Sequence, residues 1–420
     1  MNRLPVSVII PCYRQAHWLP RAIKSCLDSS FAAPEIIVVD DGSPDDVSSS
    51  ISVFGDKVRL VRQTNSGLSA ARNKGIEHAT NDHLLFLDSD DWLLPGSLVS
   101  LLEVANGKRI AVGGYYLANS EGVLPGPVIP AFDSPFNALS HANIAPPHCF
   151  MYPATFVKRM AGFRPIRGGH EDYDLLCRLC LYGCEFSTIH SPVSCYFQHP
   201  GSMSTKEEPM GDSRAVVWCA FAKGAIEKHP CNDTMAQLLD GGANTLKHTG
   251  PRDCILSMLQ RIIQAIDDKS VGSSTSCLMR CLNGLAQVIK TVSGWQRSIT
   301  TEIISSAEQK SLSCIRAVPI EFDCPSYRDA LIKLISVLLE CRPSLAKRIA
   351  SSAPFIRGNG NLRHTLSAAA LLAQLPIGSS TRSGVLNDFR SLGNRRRSRF
   401  GALRSPLPTH PENLCILGNS

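Results

Sequence analysis

From Val6 to Leu117, short apolar and β-branched runs alternate with stretches whose apolar residues recur at helical spacing. That alternation is the strongest constraint on what the chain can fold into. Val6–Ile10, Glu35–Val39, Val58–Val61, Leu84–Leu87 and Ile110–Leu117 read as strands. Leu19–Leu27, Val47–Phe54, Leu68–Ala79 and Gly96–Val104 read as the helices between them. Repeated strand–helix–strand units with continuously apolar strands predict an α/β fold, a mostly parallel sheet with helices on both faces.

Ligands of such sheets bind beyond the carboxyl ends of the strands. Three polar clusters fall there: Pro11-Cys12-Tyr13, Asp40-Asp41-Gly42-Ser43 and Asp88-Ser89-Asp90-Asp91. Two of the three are acidic. Carboxylates this close repel each other unless a cation or a bound ligand holds them, so the sequence asks for one or the other at this edge.

The chain has 420 residues, 44% of them hydrophobic, enough for a sizeable core and two or three domains. No apolar run approaches the roughly 20 residues that cross a bilayer. The first residues, MNRLPVSVIIPCYRQ, lack the apolar stretch and cleavage site of a secretory leader, so a cytoplasmic location is expected. Most of the sixteen cysteines lie singly in apolar segments and read as buried thiols of a reducing compartment. Cys177, Cys180 and Cys184 cluster on one helix face, where core packing accounts for them better than a metal that would lack a fourth ligand.

Gly122–Pro147 reads as a long loop lining a cleft, and Thr155–Met160 and Asp172–Tyr182 as helices. After about residue 205 the pattern becomes helical, with helices expected at Ala215–Ile226, Arg252–Ile266, Cys277–Val292, Arg328–Cys341 and Leu362–Leu375. The division expected is an α/β domain over 1–205, a helical domain over 206–375 and a flexible tail over 376–420. The formal net charge is +7, and the tail contains NRRRSRF at Asn394–Phe400. Such a run suits peripheral contact with anionic lipid; binding to nucleic acid is not expected.

Six blocks carry a resemblance: SVIIPCYRQ, VVDDGSPDD, NSGLSAARNKGI, LFLDSDDWLLPGSL, GGHEDYDLLCRL and HPGSMS. In this order and spacing they resemble the inverting family 2 glycosyltransferases of the GT-A fold, over about residues 5–205. The resemblance implies a nucleoside diphosphate sugar as donor, a UDP-sugar first, and a divalent metal, Mn2+ or Mg2+. Both metals prefer carboxylate oxygens, and both offset the charge that builds on a departing diphosphate.

By the same resemblance Asp90 is the direct metal ligand, with Asp88 toward the ribose or a metal-bound water, Asp91 able to replace either, and His199 a late metal or phosphate ligand. Pro11, Tyr13, Asp40, Asp41 and Arg72 fall at positions near the nucleotide. Asp172 is the implied base that takes the acceptor hydroxyl proton, with Glu171 orienting it or the acceptor. Plainer roles exist for several of these: helix caps and turns for the aspartates, favourable charge at a helix start for Glu171-Asp172, and a surface helix position for Arg72.

No Gln-x-x-Arg-Trp block follows the acid pair; Gln296-Arg297 lies far downstream. Together with the lack of spanning segments, this favours transfer of a single sugar to a glycan, lipid-linked or protein acceptor, as in cell-surface polysaccharide synthesis, over processive synthesis. A nucleotidyltransferase would need a glycine-rich loop after the first strand, where the chain has PCYRQAHW. The remaining alternative is a catalytically degenerate sugar-nucleotide-binding scaffold acting through its helical part.

Overall fold

The computed structural model describes residues 4–30, 32–105, 109–202, 207–250, 252–267, 275–293 and 298–316. The expected helices at 328–341 and 362–375, the tail from 376, its arginines at 395–399 and the Gln296-Arg297 pair lie outside the described residues. So do Met203 and Ser204 of the last block.

The first strand, β1 (Val6–Cys12), is buried at every position, which is why it reads as one apolar run. Helix α1 (Leu19–Asp28) follows, then β2 (Glu35–Asp41), α2 (Val47–Ile51), β3 (Val58–Gln63), α3 (Leu68–His78) and β4 (His83–Phe86). β1 lies between β2 and β4 and parallel to both, with Val8 opposite Ile36 on one side and Leu85 on the other. Ile10, Val38 and Leu85 pack with Leu19 and Ile23 of α1 in a continuous core. On the other face α3 approaches so closely that a Cβ at Gly75 would meet Ile9 Cγ2 at 2.3 Å.

Beyond β4 the sheet is mixed. After β5 (Trp92–Leu93) and α4 (Ser97–Ala105) come β6 (Arg109–Asn119), β7 (Gly122–Val123), α5 (Pro135–His141), β8 (Phe150–Pro153), α6 (Ala154–Arg159), α7 (Glu171–Leu181) and β9 (Glu185–Phe197). The strand order is β3-β2-β1-β4-β8-β6-β9-β5, with β7 paired to β6. β8 runs antiparallel to β4 and to β6, while β6 and β9 are parallel. The architecture is the expected α/β GT-A sheet followed by helices.

Two expectations change. Gly122–Pro147 is not wholly loop: it contains β7 and α5. Ser134 caps α5 by accepting from the Asn137 amide, and Pro135 sits at its first position, a start signal present in the sequence. β9 was not expected at all. Its EFSTIHSPV stretch is polar, half-exposed and carries a proline, so neither alternation nor an apolar run marks it.

The remaining described helices are α8 (Glu207–Lys228), α9 (Asn232–Thr249), α10 (Asp253–Ala265), α11 (Thr275–Val292) and α12 (Ser298–Arg316). α9 and α12 were not foreseen. α8 and α9 rest on α5: the Trp218 indole donates to the Ser140 carbonyl at 2.9 Å, and a Cβ at Gly241 would meet that same oxygen at 2.1 Å. Gly241 is thus required by close approach of two backbones rather than by a turn. Among the described residues no helix is long and apolar enough to cross a membrane.

Candidate active site

The carboxyl ends of β1, β2 and β4 open on a cleft of about 650 Å³. Pro11, Tyr13, Asp41, Arg72, Asp88 and Asp90 line its near side. Glu171 and Asp172, from the start of α7, close it with Asn143. Segments separated by 160 residues in the chain thus converge where parallel-sheet topology requires.

The acids after β4 have three different environments. Asp88 accepts from Arg72 Nη2 at 2.7 Å and keeps 29% of its side chain exposed. Asp90 Oδ2 lies 2.9 Å from His199 Nε2 and accepts from Gln15 Nε2 at 3.2 Å. Gln15 is itself held, since its Oε1 accepts from the buried Ser89 hydroxyl. The Asp90 carbonyl accepts from Arg21, whose guanidinium lies over the rings of Trp18, Trp92 and Phe197.

Asp91 is sealed. Its Oδ1 accepts from the Phe197 amide at 2.7 Å, and its Oδ2 lies 2.9 Å from Nδ1 of the fully buried His148. Burial pushes the Asp91 carboxyl up to about 6, with the His148 charge pulling the other way. Burial opposes charge on His148, but Asp91 beside it wins and holds the imidazole well above its ordinary range. Asp91 joins the loop after β4 to β9 through the Phe197 amide.

Arg72 is not on a surface helix face. It is 1% exposed and bridges two carboxylates, Asp88 and Glu171 Oε1. Burial works against its charge, and the two acids more than offset that, so the guanidinium stays charged. Nearby, Asp172 Oδ1 accepts from the Tyr173 amide and Oδ2 from Asn143 Nδ2, each at 2.8 Å. Burial, then the adjacent Glu171 charge, push the Asp172 carboxyl up to about 6. Gly168 and Gly169, at φ 96° and 105°, turn the chain into this pair, and His170 continues in the left-handed region at φ 66°. Nδ1 of His170 lies 2.8 Å from the Ser213 hydroxyl, and burial lowers its pKa to about 4, so it stays neutral.

Asp41 reaches the cleft wall with both oxygens engaged: Oδ1 accepts from Gln63 Nε2 and the Ser66 amide, Oδ2 from the Gly67 amide. It shapes the 63–67 loop leading into α3. Asp40 is not part of the cleft wall. Its Oδ1 accepts from the Ser43 amide at 2.8 Å and its Oδ2 lies 3.7 Å from Arg62, the turn role open to it from the sequence. Tyr13 is 41% exposed at the cleft mouth, with the Arg14 guanidinium 5.3 Å from its ring centre. Gln15, Asn143 and His148 were missed from the sequence. Gln15 lies inside the first resembling block without a role of its own there, Asn143 and His148 lie in no block, and the importance of each comes only from the partner it meets.

Two donor sets fit a divalent ion. Asp88, Asp91 and His148 bring ligand atoms within 4.8 Å of one another, the one such group of three among the described residues. Asp91 and His148 are spent on each other and closed to solvent. Asp90 and His199 are partly exposed, at 14% and 20%, and already 2.9 Å apart, the better fit for an ion arriving with a ligand.

The sequence model of glycosyl transferase family 2 matches residues 7–160. The similarity to that family is confined to this segment. An uncharacterized glycosyltransferase of Rickettsia felis is 44% identical over 238 residues, 53% of this chain and 39% of that protein. Glycosyltransferase GlyA of Streptococcus pneumoniae is 35% identical over 124 residues, 28% of this chain and 18% of that protein. The GalNAc(5)-diNAcBac-PP-undecaprenol beta-1,3-glucosyltransferase of Campylobacter jejuni is 36% identical over 124 residues, 28% and 40% of the two chains. Each match therefore spans less than half of the relative. S. aureus TarS 1-349, crystallised with UDP-GlcNAc, shares the fold at TM-score 0.51 and 15% identity, over 74% of this chain and 90% of that one.

Proposed function

We propose that the protein is an inverting, metal-dependent glycosyltransferase that moves one sugar from a nucleoside diphosphate donor, a UDP-sugar first, to a glycan, lipid-linked or protein acceptor. The observation that carries this reading is one cleft lined by two acid sets: Asp88 and Asp90 on one side, the latter 2.9 Å from His199, and Glu171 and Asp172 on the other. The family 2 match supports glycosyl transfer. The UDP-GlcNAc bound by TarS supports a UDP-sugar, and the undecaprenol-linked substrate in the C. jejuni relative's name supports a lipid-linked acceptor.

Asp90 and His199 would hold the divalent metal, with Asp88 beside them, and the charge it supplies would favour departure of the diphosphate. Asp172 takes the acceptor hydroxyl proton as that oxygen bonds to the anomeric carbon from the face opposite the leaving phosphate. A carboxyl raised to about 6 suits this work: it is ionised at neutral pH and more basic than a free aspartate. Arg72 ties the two acid sets together through Asp88 and Glu171. In the same reading residues 1–205 are the catalytic domain, 206–375 are a helical domain, and the basic tail from 376 is a peripheral contact with the inner face of the membrane from the cytoplasm. A degenerate scaffold has lost one of the acid sets; here both are in place.

Calorimetric titration with UDP, then GDP, with and without Mn2+, on the wild type and Asp90→Ala, tests this. Metal-dependent binding of one nucleotide, lost in the variant, is the expected result. Binding of neither nucleotide would sink the proposal.

A further inference from the structure

We infer that Asn143 is a positioning residue for the Asp172 carboxylate and that the helices after residue 207 hold it in place. The inference rests on the reading of Asp172 as the base.

Asn143 Nδ2 donates to Asp172 Oδ2 at 2.8 Å, and the Tyr173 amide takes Oδ1. Two donors of known direction fix the plane of the carboxylate, leaving its other lone pairs for an acceptor hydroxyl. Neither donor can take a proton away, so both favour the ionised form. The Asn143 Oδ1 is closed to solvent and finds no hydrogen-bond partner among the described residues. An amide placed for its own satisfaction would not be left so; the bond to Asp172 is what this placement achieves.

The placement comes from the helical part of the chain. Asn143 follows α5, and the last turn of α5 is gripped by α8 and α9. Trp218 donates to the Ser140 carbonyl at 2.9 Å, Arg214 Nη2 and Asn244 Nδ2 donate to the His141 carbonyl at 2.7 and 3.3 Å, and His141 Nε2 lies 3.0 Å from Asp240. On the other flank of the acid pair, Ser213 of α8 meets His170, and the Tyr173 hydroxyl donates to the Leu139 carbonyl. α8 and α9 therefore brace both the segment carrying Asn143 and the start of α7. The charged and titratable groups facing Asp172 are Glu171 beside it, Arg72 from α3 and the buried Tyr152 from β8.

The test is a pH titration of the full chain labelled with 13C at aspartate Cγ, the Asp172 signal being identified by its loss in Asp172→Asn. The wild-type midpoint is expected near 6. Asn143→Ala removes a hydrogen bond to the charged form, and proton affinity should rise roughly tenfold. Asn143→Asp keeps the shape but sets a second carboxylate against the first, and the midpoint should rise further. A midpoint unmoved in both variants overturns the inference. Turnover of UDP-sugars by Asp172→Asn at the wild-type rate, with the midpoints moving as expected, would instead overturn the base assignment, so the two failures are distinct.

Discussion

Replacing Arg72 by methionine tests whether the guanidinium joins the two acid sets or merely fills space. Methionine keeps much of the buried stem and removes both ion pairs. The two partners then fare differently. Asp88 is 29% exposed, so water replaces the lost contact and the cost there stays within about 1 kcal/mol. Glu171 is 7% exposed, and an unpaired carboxylate at such a site costs about 3–5 kcal/mol. The loss should therefore be about 3–5 kcal/mol and come almost wholly from Glu171.

The consequence is checked by adding a second change. Arg72→Met with Glu171→Gln leaves no buried charge and should recover most of the lost stability, while Arg72→Met with Asp88→Asn should recover little. Urea midpoints at neutral pH, followed by tryptophan fluorescence, measure all three variants. Equal recovery by the two double variants, or a loss under 1 kcal/mol in Arg72→Met, would refute the reasoning. Arg72→Lys should also fail, because a single ammonium cannot reproduce the two-armed donor geometry that reaches both acids.

The transfer rate should fall below about pH 6 as Asp172 takes up its proton, and a rate profile between pH 4.5 and 8 that shows no fall there would count against Asp172 as base. The same raised pKa means the ionised carboxylate opposes folding: stability is gained as pH falls through 6 toward the ordinary value of 3.8. Asp172→Asn should therefore be inactive yet more stable at pH 8, by at most about 3 kcal/mol, in a thermal melt. Gly241→Ala should cost about 1–3 kcal/mol, because its Cβ would push the Ser140 carbonyl that starts at 2.1 Å; an unchanged urea midpoint would show that α9 does not press on α5.

What the sequence disclosed and what it hid divide along physical lines. β1, β2 and β4 are buried on both faces, so each is a compact apolar word, and the acids at their ends mark the cleft edge at once. β9 hides because it is half-exposed and pairs mainly through its backbone, which leaves no trace in residue type. Arg72 was visible as a motif position, but only its 1% exposure separates a buried tie from a solvated helix residue. Asp40, Asp41, Asp88, Asp90 and Asp91 look alike on paper. The partners decide among them: backbone amides for Asp40 and Asp41, Arg72 for Asp88, His199 for Asp90 and His148 for Asp91.

The described helices after residue 207 carry no recognisable motif, yet they hold the segment beside the cleft. Their contribution runs through main-chain carbonyls, those of Ser140 and His141, which accept from Trp218, Arg214 and Asn244. A carbonyl is offered by every residue type, so only the donors can be read from sequence, and each is a lone side chain on a helix. The glycine at 241 is the one local sign of how close the two backbones come, and a glycine within a helical pattern does not say what it approaches. A catalytic acid can therefore be legible in its motif while the brace that orients it is not: the acid is specified by its chemistry, the brace only by position.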